Sequence, residues 1–185
     1  MDFGLNYFTY VADELPELVA RYFNVSRRRE DTAVMGLSMG GFGALKLALM
    51  RPERFHLCGA FSSAISPLHR MIGEFSQAEE IPAEHKEWVG VFGHRSEPVR
   101  GEDLEALVRS YRDADGPKVK PIIHMTCGKQ DFLYEDNINF KTFMEGEDFD
   151  FSYFEKDGVH DWYFWNDSLK LKLDTYYKPE EPAAN

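Results

Sequence analysis

Hydrophobic and polar positions along the chain follow two rhythms: helical spacing in some stretches, short unbroken apolar runs in others. Between Thr9 and Phe23, the residues Val11, Leu15, Leu18, Val19, Tyr22 and Phe23 recur at helical spacing, while Asp13, Glu14 and Glu17 take the other face. That pattern predicts an amphipathic helix, and Pro16 predicts a kink in it or a start near Asp13. The polar connector Asn24–Asp31 holds Arg27-Arg28-Arg29, read as a solvated loop, with anion binding the alternative. Thr32–Leu37 is apolar, too short for a helix and flanked by turn residues, which predicts a buried parallel strand. Gly41–Met50 predicts a helix, rich in Ala and Leu and stopped by Pro52.

Three more strands are predicted at Leu57–Ser62, Ile122–Cys127 and Phe151–Glu155, and a last helix from about Trp165 to Tyr176. Between the second and third strands, Ser66–Pro121 is long for a crossover and is expected to shape a pocket, with a short helix at Leu104–Arg112. Strands alternating with helices across connections this long imply a parallel sheet with helices on both faces. The chain reads as one α/β region over 1–178, with 66–121 as its excursion and 179–185 as a flexible tail.

The 185 residues suffice for one domain, and 43% hydrophobic with 29% charged residues is ordinary globular material. A net charge of −11 argues against nucleic acid and anionic membranes as partners. Cys58 and Cys127, in apolar strand-like runs, read as buried reduced thiols, with a disulfide or a reactive thiol as the alternative. No apolar stretch reaches the ~18 residues of a membrane helix. No basic region followed by an apolar run opens the chain, so a cytoplasmic protein is expected. Neither H-x-x-x-H nor C-x-x-C occurs, and no metal or cofactor is expected.

Candidate chemistry centres on Gly36-Leu37-Ser38-Met39-Gly40. A predicted strand runs straight into this G-x-S-x-G and a helix leaves it, the setting of a nucleophile elbow. Gly40, Gly41 and Gly43 are expected to let that helix sit close to the strands. A serine hydroxyl needs a base, and the base an orienting acid. Asp131 follows the third strand and His160 the fourth, giving the order Ser, acid, His. Asp136, Asp157 and Asp161 compete as the acid, although Asp157 and Asp161 lie too near His160 in sequence to reach its far nitrogen easily. His56, His69, His85, His94 and His124 lack the post-strand position that His160 has. Ser62 and Ser63 end a strand without an elbow and read as structural.

Several stretches together resemble the esterase D-like putative esterase family of the α/β-hydrolases, and its tributyrin esterase branch most. They are Tyr7–Val11 through Glu14-Leu15-Pro16, Gly36–Gly41, Gly43–Ala48, Pro52–Phe55, Cys127-Gly128 with Asp131–Leu133, and His160-Asp161-Trp162 with Phe164-Trp165. The resemblance runs from about Tyr7 to Tyr176. It implies a carboxylesterase acting on short-chain or small acyl esters, with Ser38 as nucleophile, Asp131 as acid and His160 as base. The N–H of Met39 would be one oxyanion-hole donor. Trp162 and Trp165 are candidates for lining the pocket, with packing under the last helix the alternative.

Members of the family carry a substantial N-terminal portion with several strands and another oxyanion donor. Only about 30 residues precede the elbow strand here, so the expected architecture is an α/β-hydrolase-like sheet lacking those N-terminal strands. Ser38's strand would then be an apolar edge. The expected partner besides a small-molecule ester is a second copy or a second chain completing the sheet. Two rival functions are carried: a catalytically silent half-domain serving as an interaction module through that edge, and an acyltransferase using the same triad.

Overall fold

The computed structural model describes residues 6–65, 103–112 and 119–176. Most of the excursion expected to shape a pocket, and the polar tail, lie outside the described residues.

The opening amphipathic segment folds as α1 (Tyr7–Thr9), a wide turn Tyr10–Glu14, and α2 (Leu15–Tyr22). The Leu15 N–H bonds the Tyr10 carbonyl five residues back, and Pro16 stands in the first turn of α2, where a missing N–H costs no helical bond. The sequence puts the break at the right place; the chain accommodates it by widening one turn.

Four parallel strands follow: β1 (Ala33–Leu37), β2 (Leu57–Phe61), β3 (Ile122–Gly128) and β4 (Phe151–Lys156), side by side in that order. Register aligns Ala33 with Leu57, Leu57 with Ile122 and Ile123 with Phe151. The helices between them are α3 (Met39–Met50), α4 (Leu104–Arg109) and α5 (Tyr134–Glu145), and α6 (Trp162–Tyr176) ends the described chain.

Helices cover both faces. Cys58, Ala60, Ile123 and Met125 pack with Leu45, Ala48 and Leu49 of α3 and Phe140 and Met144 of α5. On the other face Phe61, with Met35 and Leu37 against it, packs with Phe164 and Trp165 of α6. Full burial of a Leu, Ile, Phe or Met contributes about 1.5–3 kcal/mol each, so of these two clusters the first supplies the larger share of the hydrophobic drive.

All five residues of β2 are buried, as a strand covered on both faces and both edges should be. All five of β1 are only half-buried, because among the described residues β1 is bonded to β2 alone. A groove of about 640 Å³ runs beside it, lined in part by Val11, Leu15, Val19, Val25, Val34 and Met35.

The arginine loop is not simply solvated. Arg29 Nε donates to the Pro52 carbonyl at 2.6 Å and Nη2 to the Lys120 carbonyl at 2.8 Å, with Nη1 3.0 Å from His56 Nδ1. It ties together the chain entering β2 and β3, while Arg27 and Arg28 make exposed pairs with Glu17, Glu30 and Asp31.

Candidate active site

Ser38 sits between β1 and α3 at φ 53° and ψ −121°, a left-handed conformation rare for a residue with a side chain. Its backbone is held from three sides: its N–H donates to the Phe61 carbonyl, and its carbonyl accepts from Gly41, Phe42 and Ala64. Of the elbow's glycines, Gly36 and Gly41 are the ones geometry demands. A Cβ on Gly36 would lie 2.1 Å from the Gly40 carbonyl oxygen, and one on Gly41 would lie 2.3 Å from Ser63 Oγ. Gly40 and Gly43 have open space where a Cβ would go, so they do not draw the helix onto the strands.

Asp131 lies in the turn after β3, its side chain wholly buried. Its Oδ1 accepts the Leu133 N–H at 2.9 Å, which fixes the carboxylate on its own turn. The loop after β4 meets this turn closely: Gln130 N–H donates to the Gly158 carbonyl at 3.0 Å, and Gln130 Oε1 accepts the Gly158 N–H at 2.8 Å. Gly128 is required there, since a Cβ on it would lie 2.3 Å from the Gly158 oxygen.

These contacts bring His160 between the two other side chains. Its Nδ1 lies 2.9 Å from Asp131 Oδ2 and 3.1 Å from Oδ1, and its Nε2 lies 3.0 Å from Ser38 Oγ. A carboxylate only accepts, so Nδ1 carries the hydrogen and Nε2 offers its lone pair to the serine hydroxyl. Ser38, His160 and Asp131, the candidate nucleophile, base and orienting acid, are thereby in one line across the carboxyl ends of β1, β4 and β3.

Two of the competing acids, Asp157 and Asp161, are occupied elsewhere. Asp161 Oδ1 accepts the Phe164 N–H and caps the first turn of α6, and Asp157 Oδ1 accepts from Gln130 Nε2. Met39 opens α3, so its N–H is among those a helix leaves without an intrahelical partner, one residue past the nucleophile. Trp165 is buried in the core under α6, yet its ring stands edge-on to His160 with centroids 4.8 Å apart. Trp162 packs on Trp165 at 5.3 Å and is 66% exposed; Phe132, 76% exposed, tilts against the imidazole at 4.6 Å. Phe132 stands in the stretch Asp131–Leu133 that carries the family resemblance, yet nothing in the sequence marked it for a place at the site.

Both cysteines are free and buried. Burial and the Asp131 charge push the Cys127 thiol up to about 12, and burial raises Cys58 as well, so neither is a thiolate nucleophile. The groove beside β1 is lined by none of Ser38, Asp131 or His160.

The sequence matches the family model described as "Putative esterase" over residues 5–175. It is 34% identical over 158 residues to an acetyl esterase of Caldicellulosiruptor saccharolyticus, which covers 85% of this chain and 58% of that protein. Among solved structures it is similar to an S-formylglutathione hydrolase (FrmB) of Staphylococcus aureus, with a TM-score of 0.75 and 25% identity over 95% of this chain and 65% of that one. It is also similar to FphF, a fluorophosphonate-binding serine hydrolase of the same organism, with a TM-score of 0.76 and 25% identity over 96% and 66%. The fold is that of the α/β-hydrolases, and the chain spans somewhat under two thirds of the length of these relatives.

Proposed function

The chain belongs to the Putative esterase family, and on that premise we propose that it is a serine carboxylesterase for short-chain or small acyl esters. One observation carries the reading: the unbroken line from Ser38 Oγ through His160 to Asp131, with separations of 3.0 and 2.9 Å.

Ser38 Oγ attacks the ester carbonyl as His160 Nε2 takes its proton. The imidazolium so formed is stabilised by the Asp131 carboxylate, whose burial keeps water from screening the pair. The carbonyl oxygen becomes an oxyanion beside the Met39 N–H, which donates to it. Collapse expels the alcohol, which receives the proton from Nε2, and leaves an acyl ester on Ser38. Water then gives its proton to Nε2 and attacks the acyl carbon, releasing the acid and restoring Ser38. Phe132 and Trp162, exposed around the base, offer apolar surface to the substrate, which suits an uncharged acyl or alcohol group better than a polyanion.

The test is hydrolysis of p-nitrophenyl acetate and butyrate by the chain and its Ser38→Ala variant. Turnover by the chain that disappears in the variant is the expected result. Turnover that survives in Ser38→Ala would remove this mechanism.

A further inference from the structure

Asn137 lies on α5, a turn and a half beyond the acid, and is wholly buried. It shares a face with Phe140 and Met144, where helical spacing calls for an apolar side chain. Its amide instead makes three hydrogen bonds. Oδ1 accepts the Ser63 N–H at 3.2 Å, and Nδ2 donates to the Ser63 carbonyl at 2.9 Å and to the Leu133 carbonyl at 2.8 Å.

The two partners belong to the two halves of the site. Ser63 lies in the segment Phe61–Ala64, which grips Ser38 at both ends: the Phe61 carbonyl accepts the Ser38 N–H at 2.9 Å, and the Ala64 N–H donates to the Ser38 carbonyl at 3.1 Å. Between those contacts Ser62 is forced to φ 44°, and its N–H is taken by the Thr126 carbonyl at 2.7 Å. A segment bent against backbone preference keeps its shape only where its neighbours over-determine it. Leu133, the other partner, is the residue whose N–H fixes Asp131 Oδ1.

We propose that Asn137 is a positioning residue that clamps the backing of the nucleophile elbow to the turn holding the acid, and so sets the Ser38–His160–Asp131 line. The proposal rests on the esterase mechanism above. Asn137 touches no reacting atom. It acts by fixing the backbone on which two of the three side chains are mounted, where a shift of about 1 Å can cost on the order of 10²-fold in rate.

The test follows Ser38 itself. The second-order rate of its phosphonylation by a fluorophosphonate is measured by intact-protein mass spectrometry for the chain, Asn137→Ala and Asn137→Asp, with circular dichroism to establish the folded fraction. Asn137→Ala removes all three bonds. Asn137→Asp keeps the volume but turns an oxygen toward two carbonyls in place of a donor. Both variants are expected to fold and to react about 10–100-fold more slowly per folded molecule. With p-nitrophenyl acetate, kcat should fall in step while KM moves less than about threefold.

Wild-type reactivity in folded Asn137→Asp would overturn the proposal, because packing volume alone would then suffice, and would leave the esterase mechanism standing. Loss of the fold in both variants would overturn it too, by making Asn137 a core residue. No labelling of Ser38 in the unaltered chain would overturn the esterase mechanism and this proposal with it.

Discussion

Replacing Asp131 by Asn probes the charge of the acid with almost no change in shape. The Leu133 N–H that now bonds Asp131 Oδ1 at 2.9 Å still meets an oxygen, so the turn after β3 keeps its anchor. The group facing His160 Nδ1 at 2.9 Å becomes an amide N–H₂. Nδ1 must then accept, the ring hydrogen moves to Nε2, and the lone pair that faced Ser38 Oγ at 3.0 Å is gone. The imidazolium of the transition state also loses its counter-charge. Two unit charges about 3–4 Å apart at an effective dielectric of about 20 interact by about 4–6 kcal/mol, or about 10³–10⁴ in rate. The assay is kcat/KM for p-nitrophenyl acetate, with a thermal unfolding curve to show that the variant is folded. A folded Asp131→Asn chain that keeps turnover within about tenfold of the unaltered one would refute the assignment of Asp131 as orienting acid.

Two further substitutions test how the site is mounted and how the fold responds to acid. Gly128→Ala puts a Cβ 2.3 Å from the Gly158 carbonyl oxygen, backbone against backbone, between the loops that carry Asp131 and His160. It should cost about 1–3 kcal/mol in urea unfolding and lower turnover more than that loss of folded protein explains; unchanged values in both would mean the two loops part without penalty. His124 is buried on the α6 side of β3, with Ser152 Oγ at its Nδ1 and Nε2 without a partner. Burial, helped by the Lys172 charge, holds its imidazole neutral down to about 3, whereas the unfolded chain protonates it near 6.5. Its contribution to stability is therefore complete above about pH 6.5 and is lost as pH falls toward 3, by at most about 1.4 kcal/mol per pH unit. His124→Gln should flatten that acid limb in denaturant titrations, and an equally steep limb in the variant would assign the acid sensitivity to other groups.

How much of this was legible in the sequence depends on whether a signal was local. Four apolar runs give four strands to within a residue or two, because β2 is apolar throughout and β3 is interrupted only by His124 and Thr126 on its α6 side. The order of Ser38, Asp131 and His160 is likewise local, since each follows a strand end that parallel connections place at one edge of the sheet. Helix α5 passes unseen because its buried face begins with an amide: Asn137 dilutes the spacing that Phe140 and Met144 would otherwise display. The role of that amide depends on the Ser63 carbonyl 74 residues away, and the Arg29 clamp on the Pro52 and Lys120 carbonyls 23 and 91 residues away, spans that no local window contains. For the elbow, the pattern marks a tight turn without saying which glycine meets an obstacle; Gly36 and Gly41 do, Gly40 and Gly43 do not.

The half-buried strand β1 raises the question of whether the site depends on anything beyond its outer edge. Every described backbone contact that sets Ser38 comes from the other side: the Phe61 carbonyl and the Ala64 N–H belong to the end of β2, and Gly41 and Phe42 to the nucleophile's own helix. Asp131 and His160 are fixed to each other by the Gln130–Gly158 bonds between the loops after β3 and β4, the far edge of the sheet from β1. Among the described residues, the three-residue line is thus built from inward contacts. The groove of about 640 Å³ along β1 touches none of its members. Polypeptide laid along that edge would bury Val34 and Met35 and give β1 a second row of hydrogen bonds, adding stability by the same terms that hold β2. None of the described contacts that hold Ser38, His160 and Asp131 reaches that edge, so polypeptide added there is expected to change stability more than the distances among the three.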